Sequence, residues 1–302
     1  MMDISDRLCS LMTPEQVKVN EPMSGHTTFR TGGNADYFVM PKKEEVEPVL
    51  DFCRQEGIPT LVIGNGSNLL VSDDGIEGVV LCIGRQMSRI QVDEDRIYAQ
   101  AGAPLSAVAQ KAAEHGLTGL EFASGIPGTL GGALIMNAGA YGGEMKDILD
   151  SLKVLNRDGF HPVLSNAEYD GGYRTSAVMR SGAIVLSALL QLKKGDPEEI
   201  REKMRDLQER RKEKQPLEYP SAGSTFKRPE GHFAGKLIED AGLAGYSIGG
   251  AQVSEKHCGF IINTGNATSA DIHELMEFVI DTVHRKYDVF LDPEVRCVGR
   301  FK

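Results

Sequence analysis

The sequence has no C-x-x-C pair, no H-x-x-x-H spacing, no excess of positive charge and no membrane-length apolar run. Each absence excludes a class. The five cysteines (Cys9, Cys53, Cys82, Cys258 and Cys297) are odd in number and far apart. That argues against a disulfide framework and for reduced, mostly buried thiols of a cytoplasmic protein. Seven histidines without ligand spacing argue against a structural metal. Met1-Met2-Asp3 is followed by neither a basic region nor an apolar stretch, so neither export nor a membrane span is expected. A net charge of −10 argues against nucleic acid or an anionic membrane as the main partner.

What is present is a chain of 302 residues, 41% hydrophobic, long enough for two or three domains. Helical spacing runs through Val46, Val49, Leu50 and Cys53. It recurs from Pro104 to Gly116, burying Leu105, Val108, Ala109, Ala112 and Ala113. A third helix opens at Asp196-Pro197 with Ile200, Met204 and Leu207 inward. A fourth begins at Thr268 and turns Ile272, Leu275, Met276, Val279, Ile280, Val283 and Tyr287 inward. Short apolar strands are expected at 37–40, 60–63, 78–83, 183–192 and 259–263, with a hairpin over 89–92 and 96–99.

Several stretches fit no core element. Strand 60–63 breaks into Gly64-Asn65-Gly66-Ser67-Asn68, where converging N–H groups would suit an anion and a tight turn would serve equally well. It is not a Rossmann fingerprint, since Leu69 holds the third glycine position, and no Walker Gly-Lys-Ser/Thr is present. Residues 119–143 are glycine-rich and nearly uncharged from Phe122 on. That composition suits backbone packed against a large flat ligand, or a glycine-rich turn between core segments. Tyr173-Arg174-Thr175-Ser176 offers a carboxylate clamp or an ordinary loop cation. Arg210, Arg211, Lys212 and Lys214 crowd a helix C-terminus, where they complement the dipole or hold an anion. Ser221-Ala222-Gly223-Ser224-Thr225-Phe226-Lys227-Arg228-Pro229 packs hydroxyls, a glycine and cations together, which reads as a proton-donor site or as a hydroxyl-capped turn. Glu294 and Arg296 alternate onto one face, toward ligand or toward each other.

Gly64 to Leu70, Ile126-Pro127-Gly128 and Gly139-Ala140-Tyr141-Gly142 resemble the flavin-cradling segments of the vanillyl-alcohol-oxidase-type FAD-binding fold. With Tyr173-Arg174, Ser221 to Lys227 and Pro293 to Arg296, the pattern resembles the UDP-N-acetylenolpyruvoylglucosamine reductase family over residues 20–302. The resemblance implies an α+β fold: flavin subdomains at 1–85 and 86–205, and an α+β substrate domain at 206–302. It implies noncovalent FAD, NADPH as hydride donor, and synthesis of a peptidoglycan precursor by a cytoplasmic monomer acting on small molecules, with no nucleic-acid or membrane partner. No counterpart of the extra Tyr-bearing loop of some members lies between Leu192 and Asp196, so the chain resembles the short form.

Carried onto this chain, the resemblance implies FAD contacts from Arg30, Thr31 and Gly32, and from Ile63, Gly64, Asn65, Gly66, Ser67, Asn68 and Leu69. Further contacts are implied from Ser124, Gly125, Ile126, Pro127, Gly128, Thr129, Gly131, Gly132, Asn137, Gly139, Ala140, Tyr141 and Gly142. Hydride would pass from NADPH through the flavin to the terminal enolpyruvyl carbon. Arg174 would bind the carboxylate on which charge builds, and Glu294, protonated, would stand on its other side. Ser224 would protonate C2, with Lys227 a candidate helper. Arg210 and Lys214 would hold the diphosphate, with Tyr173, Lys227, His257 and Arg296 also toward substrate. Two other classes fit parts of the pattern: a flavin oxidase of an alcohol, and a nucleotide-binding protein without activity. The cationic run argues against the first, and Ser224 and Glu294 in their motifs argue against the second.

Overall fold

The computed structural model describes residues 3–301; Met1 and Met2, read above as part of a start without a leader, and Lys302 lie outside them. By contact the chain makes two units interleaved in sequence. One comprises the chain up to Lys18 with 38–65 and 80–211; the other comprises 19–37, 66–79 and everything from Lys212 on. The chain passes between them along three strands, Val17–Pro22, Asn34–Val39 and Ile76–Cys82. With Thr60–Ile63 these make a four-stranded sheet in the order 17–22, 34–39, 76–82, 60–63. The expected boundaries at 85 and 205 both fall inside the first unit's 80–211 stretch.

The first unit is built on a five-stranded antiparallel sheet in the order 163–165, 149–155, 184–191, 96–100, 90–93. The expected hairpin is there, with Asp93 opposite Arg96 and Glu94 at φ +50° in its tight turn. Helix Leu105–Glu114 buries the five residues that its spacing singled out. The glycine-rich stretch holds a surprise. Leu130–Ile135 is a short helix that includes Gly131 and Gly132, capped by the Thr129 hydroxyl accepting from the Gly132 N–H. Gly131 is explained by proximity: its N–H donates to Ala101 O at 2.8 Å, and a Cβ there would stand 3.0 Å from that of Ala101.

The second unit centres on helix Ser269–Tyr287, capped by Thr268 and packed by its Ile272, Leu275, Met276, Val279, Ile280 and Val283 stripe. Tyr287, expected on that stripe, is exposed instead, because the helix ends there and Asp288 turns left-handed. Asp73, which no sequence pattern marked, accepts from the Ser269 and Ala270 N–H groups and so satisfies the helix's first turn. Strands 247–248, 251–253 and 261–263 pair antiparallel in order, and Leu69–Val71 pairs in parallel with Arg296–Val298. All five thiols are free, but only Cys53 and Cys258 are buried; Cys297 is exposed at a strand.

Beneath the glycine-rich stretch lies Glu121, 3% exposed. The Thr118 hydroxyl and the Gly119 N–H donate to its two oxygens, and Lys203 Nζ stands 3.6 Å away. Burial acts to raise its pKa; these donors and the ammonium outweigh it and hold the group below the usual carboxylate value. Stability from Glu121 is therefore present above about pH 4.3 and is lost as pH falls through the lowered folded value. Glu121→Gln is expected to cost about 1–3 kcal/mol in urea unfolding at neutral pH, a deficit that shrinks toward pH 3. An equal deficit at both pH values would show that the charge is not what the site holds.

Candidate active site

In the second unit, four distant segments meet around Thr225. Its N–H donates to Gly259 O at 2.8 Å, and its carbonyl accepts from Glu294 N–H at 2.8 Å and Val295 N–H at 3.3 Å. Its buried hydroxyl accepts from Ile261 N–H at 3.1 Å. Phe226 and Pro293 form an antiparallel bridge, and Lys227 N–H donates to Asp292 O. Half-buried Ser224 thus adjoins a backbone pairing whose partner is Glu294. Gly223 precedes it at φ +77°, a conformation that glycine adopts without strain. Asn68 completes the arrangement, donating from Nδ2 to Glu294 O at 2.9 Å and accepting from Arg296 N–H at 3.0 Å. Its amide holds Glu294 rather than pointing outward as a free donor.

Three expected substrate residues are engaged elsewhere. Lys227 Nζ pairs with Asp292 at 2.6 Å, so it is not free to assist Ser224. His257 Nδ1 accepts from Gly259 N–H at 3.1 Å, and burial holds its pKa below the ordinary value. It closes the turn that presents Gly259 to Thr225. Arg210, exposed, pairs with Asp206 at 2.9 Å. Lys214 and Arg296 are exposed.

The loop 27–33 packs beside Gly66. Thr28 N–H donates to Gly66 O, and Asn263 Nδ2 donates to Phe29 O at 2.9 Å. Arg30 at φ +58° and Gly32 at φ +117° set its course. Gly66, at φ +60° in the stretch that would suit an anion or a tight turn, is constrained most closely by the protein itself, since a Cβ there would lie 1.9 Å from His26 O. The hydroxyls of Thr28 and Thr31 are buried in this loop with no hydrogen-bond partner among the described residues.

In the first unit, Gly64 lies against Thr129, where a Cβ would stand 2.4 Å from Oγ1, and Asn65 Nδ2 reaches Pro127 O at 3.5 Å. Gly128 and Gly131 are fixed by backbone bonds to Leu105 and Ala101, and Ser124 Oγ donates to Glu121 O. Asn137, expected at the cofactor, is buried and fully committed. Its Nδ2 donates to Glu144 Oε2 at 2.7 Å and Gly172 O at 3.1 Å, and its Oδ1 accepts from Lys146 N–H. It thereby anchors the turn in which Gly172 and Thr175 exchange backbone bonds. Arg174 sits in that turn at φ +54°, rare for a non-glycine residue, with its guanidinium 5.2 Å from the exposed Tyr173 ring. Tyr141, at φ +52°, is half exposed. Arg174 belongs to the first unit, Ser224 and Glu294 to the second.

Family models match in two places: an FAD binding domain over residues 35–161, and the C-terminal domain of UDP-N-acetylenolpyruvoylglucosamine reductase over 215–298. A reductase of that name from Caldanaerobacter subterraneus is 52% identical over 295 residues, 97% of each chain. Another, from Clostridioides difficile, is 49% identical over 298 residues, 98% of each. The chain belongs to the UDP-N-acetylenolpyruvoylglucosamine reductase family. The solved reductase of Thermus caldophilus shares 35% identity with a TM-score of 0.79, covering 94% of this chain and 98% of that one. The α+β fold with an FAD-binding domain is thus established, and with it an FAD-dependent oxidoreductase.

The residues present fit that cofactor. Two buried hydroxyls without partners, beside a loop of glycines, are polar groups that folding alone leaves unsatisfied. Among the described residues no group of three or more His, Cys, Asp or Glu is placed to hold a metal ion. Thr31→Val removes one orphan hydroxyl at nearly constant volume. The flavin-free variant is expected to be at least as stable as wild type, while its Kd for FAD rises by a factor of roughly 3–10. A variant that loses stability and keeps its FAD affinity would assign the hydroxyl to the fold.

Proposed function

We propose that this chain reduces UDP-N-acetylglucosamine enolpyruvate to UDP-N-acetylmuramate in peptidoglycan precursor synthesis, with NADPH as reductant. The observation that carries the reading is the Thr225–Glu294 backbone pairing, which joins the segment that carries Ser224 to the segment that carries Glu294 within a reductase-family domain. When bound, FAD supplies the hydride relay from NADPH to the terminal carbon of the enolpyruvyl ether. The remaining work belongs to the chain's own side chains.

Arg174 binds the substrate carboxylate, onto which the C2 carbanion delocalises, and stabilises the charge as it develops. Its turn, pinned by Asn137, prepays the ordering of that cation. Glu294 carries a proton on the other side, since an ionised carboxylate there would repel the dianion. Ser224 passes its proton to C2 and is restored from solvent. The Thr225 and Asn68 bonds hold the Glu294 backbone in register with the segment that carries Ser224. Arg210 and Lys214 hold the diphosphate, with Arg210 exchanging Asp206 for phosphate oxygens.

In this reading residues 1–85 and 86–205 serve the flavin, and 206–302 serve the substrate. FAD is held noncovalently, as no histidine stands among the residues assigned to it. The enzyme acts as a monomer in the cytoplasm on small molecules. Its net charge of −10, and the lack among the described residues of any helix long and apolar enough to cross a membrane, support that placement.

Ser224→Ala tests the proton donor. Bleaching of the flavin by NADPH should proceed at a near-normal rate, while reoxidation by enolpyruvyl substrate slows by roughly 10²–10⁴-fold. Substrate affinity should change little, because the proton is delivered in the transition state. Stopped-flow traces of the two half-reactions separate this from a structural role, which would slow both alike.

A further inference from the structure

Helix Pro197–Lys214 carries a row of cations, and nearly all are solvent-exposed or matched. Arg201 pairs with Glu198, Lys203 with Glu121 and Arg210 with Asp206. Arg211 is different. It is half-buried, and among the described residues no carboxylate or hydrogen-bond acceptor pairs with it, in a chain whose acidic residues outnumber its basic ones by 43 to 33. Its guanidinium is laid on Gly125: a Cβ there would stand 3.0 Å from Nη1 and 3.1 Å from Cδ. A side chain on Gly125 would press on this arginine. The nearest electrostatic influence is the Tyr141 phenol. Burial works against the guanidinium's charge, and an uncompensated cation in that state is costly.

Gly125 and Tyr141 both lie within the FAD-binding match, in the stretch whose composition suits backbone against a flat ligand. We infer that Arg211 is the cation of the flavin site, placed on Gly125 to meet an anionic group of bound FAD, an assignment that rests on the flavoenzyme reading above. Two groups of FAD carry such charge: the pyrophosphate in every redox state, and the isoalloxazine ring once reduced. Arginine suits either, being always charged and able to donate two parallel N–H bonds. Sequence reading placed the anion-binding pair at Arg210 and Lys214. Arg211, one residue on, points to the side of the helix that faces Gly125.

The test is Arg211→Met beside Arg201→Met, an exposed control. Oxidised FAD is titrated into each flavin-free protein, and the midpoint potential of each reconstituted protein is measured. A pyrophosphate contact raises the Kd for FAD in Arg211→Met by roughly 10- to 100-fold and leaves the potential unchanged. A contact to the reduced ring leaves that Kd within a few-fold and lowers the potential, about 30 mV for each tenfold loss of preference. Either result supports the assignment, with Arg201→Met matching wild type. Wild-type Kd and potential in Arg211→Met overturn it, whether the variant loses only affinity for the UDP-sugar or only thermal stability. If methionine prevents folding, Arg211→Lys carries the test. It keeps the charge but loses the fork, and a change of roughly threefold in either readout is expected; none overturns the assignment. Wild-type protein that takes up no FAD would instead refute the flavoenzyme reading itself.

Discussion

Thr225 is the residue on which the second unit's chemistry depends. Its N–H and its hydroxyl hold one segment, at Gly259 and Ile261, and its carbonyl holds another, at Glu294 and Val295. A buried threonine with every polar atom engaged is rigid. Ser224, immediately before it, inherits that rigidity. Glu294 inherits it twice, through Thr225 and through the Asn68 amide. A hydroxyl is a weak acid, and in the proposed mechanism a fixed position relative to its neighbours is what would make Ser224 useful as a proton donor.

The glycines tell a related story. Gly66 is required by the His26 backbone and Gly64 by Thr129, while Gly131 lies close against Ala101 and Gly125 against the Arg211 side chain. In each case the close approach is between parts of the protein itself. Each unit keeps its own unsatisfied groups among the described residues, the Arg211 guanidinium in the first and the Thr28 and Thr31 hydroxyls in the second, and these are what a ligand would complete. Preorganisation of this sort lowers the ordering cost of binding.

Much of this was legible in the residues. Helix 105–114 and the 272–283 stripe follow from apolar spacing alone, and the motif around Ser224 stood out because it fits no periodic element. Other features were hidden for physical reasons. Helix 130–135 was masked by its glycines, of which Gly131 packs against Ala101, far from it in sequence. Asp73 caps a helix that begins nearly two hundred residues later, and Asn137 looked like a cofactor donor because only its partners at Glu144, Lys146 and Gly172 show it to be committed. Arg211 was indistinguishable from Arg210 and Lys212 until burial separated them. Periodicity reveals elements; long-range hydrogen bonds and desolvation are invisible to it.

The central claim is that hydride enters this protein from NADPH and leaves to an enolpyruvyl ether. Anaerobic spectroscopy of the purified flavoprotein addresses it in one experiment. NADPH should bleach the flavin absorbance, and UDP-N-acetylglucosamine enolpyruvate, added without oxygen, should restore it with one equivalent of UDP-N-acetylmuramate formed. Flavin that stays reduced in the presence of that substrate, and recovers only when oxygen is admitted, would contradict the account and identify an oxidase instead.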